Sequence, residues 1–314
     1  MRTRARALAR LSSLSALLLA SNASAVTMDW VAVGNAGNAN DTTGYGAVGY
    51  GYGISKYEVT YGQYTEFLNA IAKTDTFNLY AAYNGGGVIN RTGSSGSYVY
   101  SVTAGFANRP VFGSFWTALR FANWLQNGQP IGLQSASTTE GGAYTITAGG
   151  ISANSITRNA GATIFLTSES VWYKAAYYNA ISTSYFDYPT GTDTTMTCAA
   201  PTATPNRGNC NSSGSVDVGS YTGSPSPYGT YDQGGNLWEW DEAISAQYRI
   251  VRGGGYIDGN GTQAAVTLRG IGFPDNNYAH VGFRVATTLI PEPGTAELML
   301  AGLLGLAVRA RRSR

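Results

Sequence analysis

The stretch from Thr183 to Pro227 most restricts the fold of this chain. It is rich in Thr, Ser, Asn, Gly and Pro, a composition typical of loops, so we expect mostly irregular backbone. Irregular chain of this length inside a compact domain is usually held by a disulfide, an ion or a function. Together with few helical patterns and many short strand-like runs, it predicts an α+β fold rather than an alternating α/β fold.

Three segments carry the periodicity of amphipathic helices. The first begins after Thr60, which forms a capping box with Gln63. The second runs from Ser114 to a glycine cap at Gly128, and the third begins after Thr167. Strands are predicted in four runs that read GAYTITA, ATIFLT, YRIVRGG and HVGFRVATTL.

Residues 1–25 have the layout of a secretory signal peptide. Four arginines precede the apolar run at 11–20, and the triplet ASA at 23–25 is a small-residue cleavage site. Cleavage is therefore expected before Val26, and the mature domain is predicted to span 26–290. An amphipathic surface helix is the alternative interpretation.

The C-terminal segment, 291–314, carries three features in order. They are the sequence PEP at 291–293, an apolar run from Leu298 to Val308, and a cluster of arginines. The apolar run is shorter than the roughly 20 residues that span a bilayer, and the arginines favour the cytoplasmic side. The segment resembles the PEP-CTERM sorting signal of Gram-negative bacteria, which implies cleavage by an exosortase-type membrane protease and a final location at the cell surface or outside the cell. A poorly ordered basic tail is the alternative.

Charge argues against a nucleic-acid partner. The whole chain has 20 basic and 18 acidic residues, but eight arginines and two glutamates lie in the two end segments. The 12 basic and 16 acidic groups left in 26–290 give a net charge of about −4, which is not a basic footprint. Any membrane contact is expected only through the C-terminal segment.

The two cysteines, Cys198 and Cys210, are expected to form a disulfide, because the chain is predicted to be exported. Closing this loop would stabilise the fold by about 3 kcal/mol in the chain-entropy model. A redox-active pair is the alternative, although no C-x-x-C spacing supports it.

The sequence YDQGGNLWEW, at 231–240, combines a sharp bend with two carboxylates. Its two glycines permit backbone conformations closed to other residues, and NLWEW alternates as a strand does. A bend that exposes carbonyls between Asp232 and Glu239 is one way to offer several oxygens to calcium. A tight turn into a core strand is the alternative.

Several separated blocks together resemble the formylglycine-generating enzyme, or sulfatase-modifying factor, family. The sequences GGNLWEW, RGGGY and GFR follow one another at the family's spacing. The resemblance covers nearly the whole mature chain and implies a C-type-lectin-like α+β fold with little regular secondary structure, stabilised by calcium. The matching blocks are 53–72, 109–130, 165–179, 226–240, 249–259 and 281–286.

The resemblance implies a particular calcium site. Its ligands would be the side chains of Asp232 and Glu239 and the main-chain carbonyls of Gly235 and Leu237. Trp238 and the tryptophan at 240 would anchor this loop in the core. The expected cofactor is therefore a structural calcium ion.

The resemblance does not extend to the family's copper site. In the family, two cysteines that follow the arginine-glycine-glycine motif hold copper; by the same count this chain has Asp258 and Gln263. Copper(I) prefers soft thiolates, which a carboxylate and an amide do not replace. Cys198 and Cys210 lie on another segment. No copper, and no oxidase activity, is therefore expected.

Loops around this position are rich in residues that suit a binding surface, because they combine flat apolar faces with adaptable hydrogen bonding. The alternative is that they are ordinary polar loops. His280, the only histidine, is interpreted as a strand-entry residue, and Asp241 with Glu242 as solvated charges. The candidate surface consists of Tyr256, Asp258, Asn260, Gln263, Arg269, Asn277 and Tyr278.

These patterns predict an exported, surface-sorted protein that acts as a binding or extracellular-matrix component. Its expected partners are the exosortase-type protease and an extracellular polysaccharide or surface protein. The alternative is an enzyme with a different chemistry in the same cleft, using Asp258 and Arg269.

Overall fold

The computed structural model of the protein describes residues 25–80 and 87–288. Its regular helices in these ranges are few, as predicted for this α+β fold. They are α1 (Tyr61–Ile71), α2 (Phe115–Gln126), α3 (Ala148–Ser152), α4 (Glu169–Tyr177) and one 3-10 turn (Thr262–Ala264).

The described strands are short and form two four-stranded sheets and three two-stranded ones. The first large sheet has the order β1-β2-β14-β5, and the second has the order β12-β11-β10-β13. The strands are β1 (Trp30–Val33), β2 (Tyr52–Ser55), β3 (Ile89–Thr92), β4 (Val99–Val102), β5 (Ile164–Leu166), β6 (Tyr178–Asn179), β7 (Ser184–Tyr185), β8 (Thr197–Cys198), β9 (Arg207–Gly208), β10 (Trp238–Ser245), β11 (Tyr248–Arg252), β12 (Gly270–Gly272), β13 (Val281–Gly282) and β14 (Val285–Thr287).

The three predicted helices form, and their caps explain where they begin. The Thr60 hydroxyl accepts from the Gln63 amide, and the Gln63 side chain accepts from the Thr60 amide, which is the expected capping box. The Ser114 hydroxyl caps α2 by accepting from the Thr117 amide, without the reciprocal bond of a capping box. Helix α4 begins one residue later than predicted, because Ser168 rather than Thr167 supplies the capping hydroxyl.

The predicted strand GAYTITA does not form, and a side chain explains why. Asn123 of α2 accepts a hydrogen bond from the Tyr144 amide and donates one to the Tyr144 carbonyl, at 2.7 and 3.0 Å. These are the bonds that a neighbouring strand would make, so the segment needs no strand partner. Tyr144 forms only an isolated bridge to Arg158, and Ala148 already begins α3.

The main core lies between the two large sheets and helices α1 and α2, and it is rich in aromatic rings. Phe67 of α1 packs against Phe121 and Trp124 of α2, with ring centroids 5.4 and 5.3 Å apart. Phe121 also contacts Phe283, which precedes β14. Such offset and edge contacts join helices and sheets without long regular elements.

One buried ion pair connects the two large sheets. Arg284, next to β14, donates to both carboxylate oxygens of Glu239 in β10, at 2.5 and 2.7 Å. The side chains are 0% and 1% exposed. The remaining guanidinium hydrogens reach the carbonyls of Ser55 and Tyr231, and the Trp172 indole donates to Glu239. Every charged atom of this pair is therefore compensated by a hydrogen bond.

Other charges in the matching blocks are paired as well. Glu169 of α4 accepts from Arg252 of β11 in the interior and from Arg269 near the surface. The interpretation of Asp241 and Glu242 as solvated charges is wrong. Asp241 is fully buried and accepts from the Ala243 amide, and Glu242 is paired with Arg158 and bonded to the Tyr144 hydroxyl.

The stretch 183–227 is largely irregular, as predicted, with only β7, β8 and β9 as short strands. Cys198 and Cys210 are joined in the expected disulfide, with Cα atoms 5.1 Å apart. Within the described ranges, no helix is long and apolar enough to cross a membrane. The predicted C-terminal segment, and the predicted signal peptide up to residue 24, lie outside the described residues.

Replacing Arg284 by leucine should strongly destabilise the fold. It would leave the buried Glu239 carboxylate without its cation, a loss of about 3–5 kcal/mol. Arg269→Leu is the matched control, because Arg269 is 37% exposed and Glu169 keeps its contact with Arg252. The control should cost at most about 1 kcal/mol. Urea unfolding of both variants measures the difference, and equal losses would contradict the role given to the buried pair.

Candidate functional site

The glycines of YDQGGNLWEW permit a close approach between two backbones. Gly235 has a φ of +91°, and a Cβ at this position would lie 2.7 Å from the Asn209 carbonyl oxygen. The next residue, Asn236, donates its amide to that carbonyl and accepts from the Asn209 side chain. Asn209 adjoins Cys210, so the disulfide fixes the segment on which the loop rests.

Three carboxyl groups surround the Arg284 guanidinium. Glu58 accepts from the Leu237 amide and the Asn236 side chain, and Asp232 accepts from the Gly219 amide. Burial, with the charges of Asp232 and Glu239 adding to it, raises the pKa of Glu58 well above its usual value. Burial likewise raises the pKa of Asp232 to about 6. Burial, more than repulsion between the carboxylates, thus favours the neutral forms of Glu58 and Asp232 beside the Arg284–Glu239 pair.

The predicted calcium ligands lie on one loop, but the side chains of Asp232 and Glu239 have different hydrogen-bond partners. Glu239 is occupied by Arg284 and Trp172, so its oxygens are not free for an ion in this arrangement. Asp232 is buried and accepts from the Gly219 amide, and a cation at its carboxylate would favour the charged form that burial disfavours. Among the residues that the structure describes, no group of three or more His, Cys, Asp or Glu side chains could hold a metal ion. Calcium binding with carbonyls of Gly235 and Leu237 stays a prediction.

An open cleft of about 210 Å³ lies on the second large sheet, next to the predicted binding surface. Trp238 and Tyr278 supply its aromatic walls, and His280 lies beside them. The eight described residues that line the cleft include no Lys, Arg, Asp or Glu. They are Trp238, Val251, Gly270, Ile271, Gly272, Tyr278, His280 and Val281.

The Trp238 ring is fixed by two glycines and a carboxylate. A Cβ on Gly255 would lie 2.9 Å from Trp238 Cδ1, and one on Gly270 would lie 3.3 Å from Cζ3. Glycine at both positions therefore lets the indole rest against the backbone. The indole Nε1 donates to Asp258 Oδ1 at 3.2 Å, and Asp258 Oδ2 accepts from the Gly255 amide at 2.6 Å.

The opposite wall of the cleft is also held in place. The Tyr278 hydroxyl accepts from the Phe273 amide and the Asn276 side chain, both at 3.1 Å, and its ring packs against Trp240. The His280 ring lies 5.8 Å from the Tyr278 ring. Burial lowers the pKa of His280, so this side chain is neutral at pH 7. His280 directly precedes β13, which is the strand-entry position predicted for it.

Asp258 and Gln263, which the sequence comparison predicts at the positions of the family's copper-binding cysteines, both lie next to Gly254. A Cβ on Gly254 would lie 3.0 Å from Asp258 Oδ2 and 3.1 Å from Gln263 Cβ. The structure therefore brings these two positions together. A carboxylate and a carboxamide are nevertheless not the soft thiolate ligands that copper(I) prefers. The chain's two cysteines are joined to each other.

The other predicted surface residues are placed unequally around the cleft. Tyr256 lies near it and donates its hydroxyl to the Ala279 carbonyl at 3.4 Å. Asn260 is exposed and accepts from the Thr262 amide within its own turn. Arg269 pairs with Glu169 rather than with Asp258, and Asn277 is exposed on the loop before Tyr278.

Sequence reasoning missed the strand that forms the cleft floor. Gly270 and Gly272 of β12 leave room for the Trp238 and Trp240 rings, since a Cβ on Gly272 would lie 2.5 Å from Trp240 Cη2. Exposed Ile271 lies between them. The alternation GIG after Arg269 is too short to predict a strand, but two glycines flanking an apolar residue were the available signal.

The domain is an irregular α+β fold in which ion pairs join the separated sequence blocks. A match to a family model identifies the class of protein to which this fold belongs. The model of the sulfatase-modifying factor enzyme 1-like domain matches residues 30–289. The chain therefore belongs to the formylglycine-generating enzyme, or sulfatase-modifying factor, family. The PEP-CTERM protein-sorting motif matches residues 289–314, which indicates export in a Gram-negative bacterium and recognition by an exosortase-type system.

Solved structures show the same fold. The crystal structure of CarF has a TM-score of 0.52 and 21% identity, covering 83% of this chain and 98% of that one. Treponema denticola variable protein 1 has a TM-score of 0.52 and 20% identity, covering 86% and 97%. These likenesses establish the formylglycine-generating-enzyme-like, C-type-lectin-like fold predicted from the sequence. No curated protein matches the chain.

A chelator should lower the melting temperature if calcium occupies the loop. A site filled at 100 times its Kd contributes about 2.7 kcal/mol, or about 5–10 °C for a domain of this size. Asp232→Asn keeps the side-chain shape and should remove the sensitivity to chelator. Glu239→Ala is the poorer variant, because it also breaks the pair with Arg284. A wild-type melting curve unchanged by EDTA would contradict the calcium prediction.

Proposed function

We propose that this protein is a binding component of the extracellular matrix or cell surface, and that the cleft beside Trp238 holds one unit of an extracellular polysaccharide. The domain would present this cleft after export and sorting. It would not act as a formylglycine-generating oxidase.

The number and pairing of the cysteines give the strongest support for a role other than that of an oxidase. The whole sequence contains two cysteines, and these are joined as Cys198–Cys210. A copper(I) site of the family's kind needs two free thiolates, and the equivalent positions carry Asp258 and Gln263. Asp258 instead accepts from the Trp238 indole and the Gly255 amide, which holds the cleft wall in place.

The cleft has the chemistry of a site for a neutral, partly apolar ligand. A sugar ring presents an apolar face that packs on an aromatic ring such as Trp238, while its hydroxyls bond to polar tips such as those of Tyr278 and His280. The volume of about 210 Å³ is below the roughly 300–1,000 Å³ of pockets that enclose a small molecule. It therefore suits one unit of a longer chain, with Tyr256, Asn260 and Asn277 contacting the neighbouring units.

The alternative is an enzyme that uses Asp258 and Arg269. The structure gives it limited support, because the described partners of Arg269 are Glu169 and the Tyr45 ring. Asp258 is engaged by two donors from the cleft wall. A binding role is favoured because the contacts of Asp258 fix the position of the Trp238 ring in the cleft wall.

Alanine in place of Trp238 or Tyr278 should weaken polysaccharide binding at least tenfold, since losing an aromatic contact at the centre of a site costs about 2 kcal/mol. Tyr50→Ala is the control, because Tyr50 is a 40% exposed tyrosine that is not part of the cleft. Binding is measured on an array of bacterial polysaccharides with the purified chain. Unchanged binding in both cleft variants would contradict the assignment.

Purified protein incubated with copper and a cysteine-containing peptide should form no aldehyde. The reason is the lack of a free thiol pair, since the only two cysteines form the disulfide. The assay is mass spectrometry of the peptide, with an active formylglycine-generating enzyme as the positive control. Aldehyde formation above the copper-only background would overturn the proposed function.

A further inference from the structure

Two glutamine side chains hold the first residues of the described fold. The Val26 nitrogen donates to Gln129 Oε1 at 2.6 Å, and Gln129 Nε2 donates to the Val26 carbonyl at 2.8 Å. Gln63 of α1 donates to the Thr27 carbonyl at 3.0 Å. The Val26 side chain is buried in the main core, whereas Ala25 is exposed. The chain thus enters the fold at Val26.

The backbone at Gln129 adopts a left-handed conformation. Gln129 has a φ of +60°, a conformation that favours glycine, and it follows Gly128 at the end of α2. Its own amide donates to the Trp124 carbonyl in the last turn of that helix. Strain of this kind persists where the surrounding structure requires it, often at a binding position. From this position the Gln129 carboxamide bonds to both the nitrogen and the carbonyl oxygen of Val26.

The surroundings of the Val26 nitrogen favour a positive charge. The C-terminal end of a helix carries a partial negative charge, and α2 has no basic residue in its last turn. Glu66 of α1 lines the same open groove as Val26. A peptide nitrogen at Val26 would bring no charge to this place, but the ammonium of a chain that begins there would.

We infer that Gln129 and the C-terminal end of α2 form a receptor for the α-ammonium group of the mature chain. Signal peptidase would add water across the peptide bond between Ala25 and Val26, leaving the carboxylate on Ala25. The amine released on Val26 takes up a proton and donates to Gln129. Cleavage thereby converts an uncharged contact into a charge-assisted hydrogen bond. The inference rests on the export step of the proposed function but not on the ligand of the cleft.

A charge-sensitive variant tests this receptor. Two forms of the chain to Arg314 are compared, one beginning at Val26 and one at Ser24, so that only the first has an ammonium at the Val26 nitrogen. Gln129→Glu loses the bond to the Val26 carbonyl in both forms, but in the Val26 form pairing of the carboxylate with the ammonium should offset this loss and leave the melting temperature unchanged or higher. In the Ser24 form the same change should lower it by about 2–4 °C, because the carboxylate has only the uncharged Val26 peptide N–H as a partner and lies near the negative end of α2.

Two controls separate charge from length and from folding. Nα-acetylation of the Val26 form removes the charge without adding residues, so it should reproduce the Ser24 result. Gln129→Ala should reduce the difference between the two forms, because only the interaction of the ammonium with the end of α2 then remains. An equal effect of Gln129→Glu in both forms would overturn the receptor.

The cleavage position has its own readout. Mass spectrometry of the exported protein should find Val26 as the first residue, and any other first residue would also overturn the inference. Loss of polysaccharide binding would bear on the cleft alone and would leave these results unchanged.

Discussion

The fold depends on the buried pair between Arg284 and Glu239. Their hydrogen bonds join β10, the segment before β14, the carbonyl at the end of β2, the Tyr231 carbonyl and the Trp172 indole of α4. With so little regular secondary structure, few backbone ladders are available to link these elements. A charged pair with all its hydrogen bonds satisfied fixes their relative positions, which is a specificity role that buried ion pairs serve in some proteins.

This pair also explains why the blocks that carry the family resemblance occur together. The glutamate of WEW is the partner of the arginine of GFR, and the arginine of RGGGY is the partner of Glu169 in the third block. Glu58 of the first block bonds to the Asn236–Leu237 segment of GGNLWEW. These motif residues stabilise the scaffold, so their presence indicates the fold and not a particular chemistry.

Local signals predicted much of the fold, and long-range contacts account for what they missed. Capping residues Thr60 and Ser114 act within one turn, so they are visible in the sequence. The bond pattern that Asn123 offers to Tyr144 joins residues 21 positions apart and replaces a strand without any local signature. Asp241 looked solvated for the same reason, because its burial is decided by distant segments.

The candidate site was predicted in part. Tyr256, Asp258 and Tyr278 lie at or beside the cleft, because the loops that carry them meet at the second sheet. Arg269 instead pairs with Glu169. The two residues are 100 positions apart, so no local sequence pattern predicts this ion pair. The cleft floor is formed by β12. The role of its two glycines could not be predicted from the sequence, because it depends on the two tryptophan rings that pack against them in the folded structure.

Hydroxyl-radical footprinting of the protein, with and without extracellular polysaccharide purified from the same bacterium, tests most directly whether this cleft is a binding surface. Side chains that a ligand covers are oxidised more slowly. We expect protection concentrated at Trp238, Tyr278 and His280, with exposed residues elsewhere, such as Ile181, unchanged. Protection confined to another surface, or none at a polysaccharide concentration that saturates binding, would contradict a binding role for the cleft.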